Sequence, residues 1–210
     1  MTAAPQRVRT VSVDGQSVTL REQGDRVDVI VNGVVLLSSA ALGTEAAFGA
    51  LAAGARRVLV GGLGFGATAR AALACPGVEQ VTVAELSPAI IALARGDLAH
   101  LQQGLLDDPR LTLFEGDVLD AYPQGFDAIL LDVDNGPGWA SHRQNARLYA
   151  PVGLAAAHAA LSPGGLFSVW SGYPDDAFLP RLRAAGFKPS IVPLHEGQVV
   201  RARAYVGRRG

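Results

Sequence analysis

From Arg57 onwards, apolar runs of strand length alternate with segments of helical pattern. The runs are rich in Val, Leu and Ile: VLVGG (58–62), VTVAEL (81–86), LTLFEG (111–116), AILLDV (128–133), LFSVW (166–170) and PSIVPL (189–194). Strands that are apolar along their whole length and separated by helices predict a parallel sheet with helices on both faces. The chain is therefore predicted to be an α/β protein with a doubly wound, mostly parallel, Rossmann-like sheet.

Four segments between these strands have a helical pattern. They are 67–74, 88–103, 146–161 and 175–185. Ser87 is a favoured N-cap residue and Pro88 fits the first helical turn, so the second helix is expected to begin there. A long polar loop, 134–145, follows the fourth strand, and loops at the carboxyl end of a strand often carry function.

Residues 1–42 have a different pattern, in which apolar and polar side chains alternate around turn dipeptides. Asp14-Gly15 and Asn32-Gly33 each separate two such runs. These dipeptides tolerate the positive φ angles of tight hairpin turns, so we expect a short antiparallel β-hairpin element. Residues 43–210 are then the α/β domain, which begins with a short helix near Thr44.

Charge and composition exclude several classes of protein. The 18 Lys and Arg residues balance 19 Asp and Glu residues, so no overall positive field attracts nucleic acid. Cys75 is the one cysteine, and no cluster of Cys and His has metal-ligand spacing, so neither a disulfide nor a metal site is expected. No apolar run is long enough to span a membrane, and the N-terminus lacks the apolar core of a signal peptide. We therefore expect a cytoplasmic protein that binds neither nucleic acid nor membranes.

A glycine-rich turn follows the first apolar run. Gly61, Gly62, Gly64 and Gly66 stand together immediately before a helix. Glycine lets the backbone approach a ligand closely, and the N-terminus of the helix offers free N–H groups. Glu85 ends the next apolar run, where a carboxylate can accept both ribose hydroxyls of a nucleoside. These residues predict a nucleoside-binding crevice, and the alternative for Glu85 is an acid that faces solvent beside its helix.

Three further acids follow the third and fourth apolar runs. Asp117 can accept a hydrogen bond from an adenine amino group or cap the short turn at 118–121, and one carboxylate can do both. Asp132 and Asp134 lie beside the long loop, where they can orient an acceptor and take its proton. Both side chains share a face if the strand continues to residue 134. The alternative is a pair of acids in a turn, which fits Asp134 better.

The order of these motifs resembles that of the spermidine synthases, or polyamine aminopropyltransferases, which share the class I S-adenosylmethionine-dependent methyltransferase fold. The matching segments are the glycine turn, Glu85, Asp108-Pro109-Arg110-Leu111, Gly116-Asp117, 126–132, Leu148-Tyr149 and 161–165. The resemblance covers about residues 25–170. It implies that Glu85 binds the ribose, that Asp117 binds the adenine and that Asp132 lies near the acceptor amine. It also implies a homodimer formed through the N-terminal hairpins.

Three departures from the family pattern bear on the reaction. The family has an Asp where this chain has Gly64, its strand-four motif has a second acid where Asn135 stands, and its Tyr-His pair has no match in 44–48. Without a negative charge at Gly64, the carboxylate of intact S-adenosylmethionine is easier to accept. The leading hypothesis from the sequence is therefore methyl transfer from S-adenosylmethionine to a small-molecule acceptor. The alternatives are aminopropyl transfer from decarboxylated S-adenosylmethionine and a nucleoside-binding scaffold without catalysis.

Overall fold

The N-terminal part of the chain forms an antiparallel sheet of its own. The computed structural model describes residues 5–13, 15–133, 136–138 and 145–210. Four strands pair in chain order: β1 (Gln6–Val13), β2 (Gln16–Gln23), β3 (Arg26–Val31) and β4 (Val34–Ser38). Asn32 (φ 52°) and Gly33 (φ 79°) connect β3 to β4 in the left-handed backbone that Asn-Gly turns adopt. The predicted hairpin element is confirmed, and a division of the chain at residue 42 stays a prediction.

The second sheet contains the remaining strands of the described residues. They are β5 (Arg57–Gly61), β6 (Gln80–Glu85), β7 (Leu111–Glu115), β8 (Phe126–Leu131), β9 (Leu161–Ser171), β10 (Phe187–Glu196) and β11 (Val199–Arg209). Their order in space is β10-β11-β9-β8-β5-β6-β7, in which β5 to β9 run parallel and β11 is antiparallel to both neighbours. The predicted α/β class and mostly parallel sheet are confirmed. The strand order reverses between β5 and β8, and ligands of such sheets bind beside this point.

Helices cover both faces of this sheet. They are α1 (Leu42–Gly49), α2 (Ala67–Leu73), α3 (Pro88–Arg95), α4 (Ala99–Gln102), α5 (Val118–Ala121), α6 (Pro151–Ala160) and α7 (Phe178–Ala184). The Ser87 side chain accepts a hydrogen bond from the Ile90 N–H and caps α3, as predicted. None of the helices in the described part of the chain has the length and apolarity that crossing a membrane requires.

Three of the predicted helices differ in extent from those of the structure. The helix predicted over 88–103 is divided, because Gly96 (φ −118°, ψ −107°) leaves the helical region between α3 and α4. The helix predicted over 146–161 begins only at Pro151, since Ala150 before the proline is extended (ψ 160°). The last predicted helix begins at Phe178 rather than at residue 175.

Alternate side chains of the strands point to two separate apolar clusters. In β5, Val58 and Val60 belong to a cluster with α2, α3 and the N-terminal sheet, whereas Leu59 belongs to a cluster with α6 and α7. All three side chains are at most 1% exposed. Burial on both faces explains why these strands are apolar along their whole length. It also leaves their carboxyl ends as the places where polar side chains can gather.

Candidate functional site

A cavity of about 510 Å³ lies at the carboxyl ends of β5, β6, β7 and β8. This volume is in the range of pockets that hold small molecules. Its polar lining includes Glu85, Asp117 and Asp132, and its remaining lining includes Leu36, Leu37, Gly62, Gly64, Leu86, Ile90, Asn145 and Leu148. The structure therefore brings these predicted acids together with the glycine turn. Among the described residues, no three His, Cys, Asp or Glu side chains are grouped so that they could hold a metal ion.

Backbone hydrogen bonds beyond the strands hold this edge of the sheet in register. The Gly62 N–H donates to the Ala84 carbonyl at 2.8 Å, and the Asp132 N–H donates to the Gly61 carbonyl at 2.8 Å. The Gly116 N–H continues the same pattern toward β6. Asp132 is thus fixed beside the glycine turn by the backbone as well as by its side chain.

Three glycines of the turn are closely packed. A Cβ atom on Gly62, whose φ is +93°, would lie 2.3 Å from the Asp132 carbonyl oxygen. A Cβ atom on Gly66, whose φ is +76°, would lie 2.5 Å from the Leu105 side chain. A Cβ atom on Gly61 would lie 2.9 Å from its nearest side-chain neighbour. The contact at Gly62 is with the backbone after β8, and together with the positive φ it requires a residue without a side chain at this position.

Gly64 differs from the other glycines of the turn. A Cβ atom on Gly64 would have one neighbour within 4 Å, the Leu37 side chain at 3.8 Å. Its φ of +47° lies in the left-handed region, which Asp and Asn adopt more readily than other residues with side chains. A short polar side chain at this position would therefore extend into the cavity without a clash.

Glu85 is held by the backbone at the end of β6. Its Oε2 accepts a hydrogen bond from the Leu63 N–H at 2.9 Å, and its Oε1 accepts one from the Ser87 N–H at 2.8 Å. Hydrogen bonds from backbone N–H groups to a carboxylate are among the stronger ones in proteins. The Glu85 carboxylate is therefore fixed between the glycine turn and the start of α3, where it lines the cavity.

Asp117 has a partner for each carboxylate oxygen. Its Oδ1 accepts a hydrogen bond from the Leu119 N–H at 2.9 Å and caps α5, which is the capping role expected from the sequence. Its Oδ2 forms an ion pair with Arg147, whose side chain is 53% exposed. A ligand that uses this second oxygen therefore meets Arg147 at the same place.

Asp132 follows β8 directly and is partly buried. Thr68 on α2 donates a hydrogen bond from its Oγ1 to Asp132 Oδ2 at 2.5 Å. Burial raises the pKa of the Asp132 carboxyl to about 6, although the bond from Thr68 favours its ionised form. Asp134 lies outside the described residues. The strand β8 ends at Leu131, and the expectation that Asp132 and Asp134 share a face stays a prediction.

Glu45 is an acid at this site that the sequence analysis missed. It lies in the first turn of α1, and its carboxyl is close enough to Asp132 for the two charges to repel each other. The pKa of Glu45 is raised to about 8, mainly by burial and secondly by repulsion from Asp132. The positive charge of Arg70 lowers this pKa. The segment 44–48 lacks the expected family motif, yet it supplies a second carboxyl group beside Asp132.

Tight packing of α1 on α2 brings Glu45 to this position. A Cβ atom on Gly49 of α1 would lie 2.2 Å from the Thr68 carbonyl oxygen. A signal for Glu45 exists in the sequence, because it is the one charged residue between Asp28 and Arg56. An isolated acid in an apolar segment is unusual, since a buried charge is costly unless something compensates it.

Comparison with known proteins gives a sequence relative and two similar folds. No protein-family model matches the chain. The polyamine aminopropyltransferase of Mycobacterium tuberculosis (strain H37Rv) is 37% identical over 158 residues, which are 70% of this chain. The match covers 29% of that relative, so this chain spans less than a third of its length.

Both similar structures have less than a quarter of their residues identical to this chain. Spermidine synthase from Thermotoga maritima has a TM-score of 0.77 at 20% identity, over 97% of this chain and 73% of that one. The mitomycin 7-O-methyltransferase MmcR has a TM-score of 0.60 at 22% identity, over 82% of this chain and 55% of that one. At these identities the structures establish the fold, which an aminopropyltransferase and a methyltransferase share.

Proposed function

Since this chain is a spermidine synthase-like protein with the class I S-adenosylmethionine-dependent methyltransferase fold, we propose that it transfers an aminopropyl group. The donor is decarboxylated S-adenosylmethionine, and the acceptor is a small-molecule amine. The sequence-based hypothesis of methyl transfer is not supported, because the relatives that match by sequence are named aminopropyltransferases and the methyltransferase is alike in fold alone.

One observation carries the proposal beyond the relatives' names. We call Asp132, which lines the cavity, and its neighbours Thr68 and Glu45 the transfer end, and these three residues contribute two carboxyl groups and no basic side chain. The ionised Asp132 carboxylate attracts an ammonium group and repels a carboxylate. The decarboxylated donor ends in an amine without a carboxylate, whereas S-adenosylmethionine carries both groups.

The opposite part of the cavity suits the nucleoside of the donor. We call Glu85, Asp117 and the turn 61–66 the nucleoside end. The Glu85 carboxylate accepts the ribose hydroxyls, and the Asp117 carboxylate accepts the adenine amino group. Leu86 lines the cavity and remains 44% exposed although it is apolar, so it offers a packing surface for the adenine ring.

The chemistry requires positioning and the removal of one proton. The Asp132 carboxylate takes a proton from the acceptor's ammonium group and passes it to solvent. The neutral amine then attacks the methylene carbon next to the sulfonium, so that an N–C bond forms, the C–S bond breaks and methylthioadenosine leaves with the electron pair of that bond. A base with a pKa of about 6 is suited to this step near neutral pH. The sulfonium is already activated, so most of the acceleration comes from orientation.

The proposal extends to the setting of the reaction. We place the protein in the cytoplasm, and its near-zero net charge of −1 gives no reason to expect a nucleic-acid partner. We propose a homodimer through the N-terminal sheet, whose edge strands β1 and β4 carry the exposed Val8 and Val34. Exposed edges with apolar side chains favour pairing with a second copy.

The direct test is product analysis with purified protein. Decarboxylated S-adenosylmethionine and putrescine are expected to give equal amounts of methylthioadenosine and an aminopropylated amine, measured by mass spectrometry. With S-adenosylmethionine in place of the decarboxylated donor, no S-adenosylhomocysteine is expected. Formation of S-adenosylhomocysteine together with a methylated amine would restore methyl transfer, and failure to bind any of these nucleosides would favour a scaffold.

A further inference from the structure

The Thr68 hydroxyl group contacts both the Asp132 carboxylate and the backbone of Glu45. Thr68 Oγ1 lies 2.5 Å from Asp132 Oδ2 and 3.2 Å from the Glu45 carbonyl oxygen. Thr68 is buried, and the close approach at Gly49 leaves α1 little freedom to move away from α2. The Glu45 backbone is therefore held beside the Asp132 carboxylate, and the two carboxyl groups are close enough for their charges to repel each other.

Little positive charge from the described residues acts on this pair. Arg70 is the one described cation that acts on Glu45, and its Nη1 already donates to the carbonyls of Phe65, Leu101 and Gln102. Strands β10 and β11 also pack on α1, and none of their charged groups acts on the Glu45 carboxyl. Within the described residues, the Glu45 carboxyl accepts no hydrogen bond and forms no ion pair.

Two carboxyl groups in such a place compete for the ionised state. Their titrations are linked, so the two groups take up protons as a pair. Because the pKa of Glu45 is raised to about 8 and that of Asp132 to about 6, the pair retains one proton at neutral pH. Placement of that proton on Glu45 leaves Asp132, which lines the cavity, ionised.

We propose that Glu45 is a positioning residue, which keeps a proton beside Asp132 in the free protein and releases it when an ammonium group binds at Asp132. The incoming positive charge takes the place of the proton, so Glu45 ionises and the ligand meets two negative charges. One ammonium ion enters and one proton leaves to solvent, which balances the charge. The inference rests on the proposed function and adds that amine recognition at this site is linked to a proton.

Proton release on binding is measurable by calorimetry at about pH 7 in two buffers with different ionisation enthalpies. Decarboxylated S-adenosylmethionine is expected to release a large part of one proton, whereas methylthioadenosine, which has no amine tail, is expected to release none. In Glu45→Gln the release is lost and the decarboxylated donor binds about tenfold more weakly, while methylthioadenosine binds as before. Glu45→Asp, which keeps the acid, is expected to restore part of the release.

Glu79→Gln is the matched control, because Glu79 is an exposed acid that pairs with Arg56. It is expected to leave both the affinity and the proton release unchanged. Undiminished proton release in folded Glu45→Gln, or equal release with methylthioadenosine, would overturn the inference. Aminopropyl product from the wild type in either case would show that the proposed function still stands.

A second measurement needs no ligand and therefore does not depend on the proposed function. Folding raises the pKa of the Glu45 carboxyl from 4.5 to about 8, so this group contributes stability that is fully present below pH 4.5. The contribution is lost as the pH rises through about 8. The wild-type Tm is thus expected to fall between about pH 6 and pH 9 by about 2 to 4 °C more than that of Glu45→Gln. Parallel curves for the two proteins would contradict the inference, even if no donor bound.

Discussion

At the nucleoside end, Glu85 accepts backbone N–H bonds on both carboxylate oxygens, whereas at the transfer end Asp132 accepts one bond, from Thr68. Asp117 resembles Glu85 in that each of its oxygens has a partner. Glu45, in contrast, forms no ion pair with a described residue, and Arg70 is the one described cation that acts on its carboxyl group. One end of the cavity is electrostatically satisfied without a ligand, and the other end is not.

Because of this difference, we expect the nucleoside end to bind the nucleoside and the transfer end to select the donor. A nucleoside end whose carboxylates are already paired is expected to bind any ligand that carries adenosine. An unsatisfied transfer end responds to the charge of the ligand's tail, because the pair Glu45 and Asp132 gains most from an added cation. Donor identity is therefore expected to depend on the transfer end, and the following substitutions test this division.

The largest effect is expected for Asp132→Asn. An amide takes no proton from the acceptor, so the rate of the chemical step should fall by about 10²- to 10⁴-fold. Methylthioadenosine should bind this variant as it binds the wild type, because the nucleoside end is intact. Single-turnover kinetics and calorimetry measure the two quantities, and full activity would remove Asp132 from the reaction.

The next largest effect is expected for Glu85→Ala. Loss of two charge-assisted acceptors should weaken methylthioadenosine and the decarboxylated donor alike, by about tenfold or more. Glu115 stands directly beside Glu85 in the register of β6 and β7 and pairs with Arg95. Glu115→Ala is therefore the matched control, with unchanged affinity expected. Unchanged affinity in folded Glu85→Ala would show that the ribose lies elsewhere.

A smaller change is expected for Gly64→Asp, which adds an acid between the two ends. The open space at this position and the tolerance of Asp for positive φ allow the substitution. The affinity of the decarboxylated donor relative to methylthioadenosine should rise about fivefold. Gly64→Asn is the control, because Asn has the same size as Asp and tolerates positive φ but carries no charge. An equal rise in the relative affinity of the decarboxylated donor in this variant would refute the electrostatic explanation.

The smallest effect is expected for Arg147→Ala. Arg147 is half exposed, and ion pairs of this kind contribute about 1 kcal/mol or less. Its removal frees Asp117 Oδ2 for the adenine amino group, so methylthioadenosine affinity should rise by less than about fivefold. A tenfold loss of affinity instead would show that Arg147 itself holds the nucleoside.

Much of the fold and the nucleoside end is predictable from the sequence for a physical reason. Strands buried on both faces must be apolar, so β5, β6, β7 and β8 can be located, and their carboxyl ends must meet at one edge of the sheet. Glu85 ends β6, Asp117 lies two residues after β7, and Asp132 follows β8 directly. Helix ends were harder to predict, because the breaks at Gly96 and Pro151 lie within segments of continuous helical pattern.

The transfer end was only half predictable. Asp132 follows a strand, but Glu45 reaches it through the crossing of α1 and α2 at Gly49, which no local pattern indicates. The sequence-based hypothesis of methyl transfer rests on the missing acid at Gly64. It does not include the acid that Glu45 supplies beside Asp132. Tertiary packing, rather than the order of motifs, determines the charge at this end.

Calorimetric affinities of decarboxylated S-adenosylmethionine, methylthioadenosine and S-adenosylmethionine test most directly whether the transfer end selects a cationic tail. The decarboxylated donor should bind most tightly, and S-adenosylmethionine about tenfold or more weakly than it, because the ionised Asp132 repels the donor carboxylate. Methylthioadenosine, which has no charged tail, should lie between them. Tightest binding of S-adenosylmethionine would contradict the proposed donor and the role assigned to the two acids.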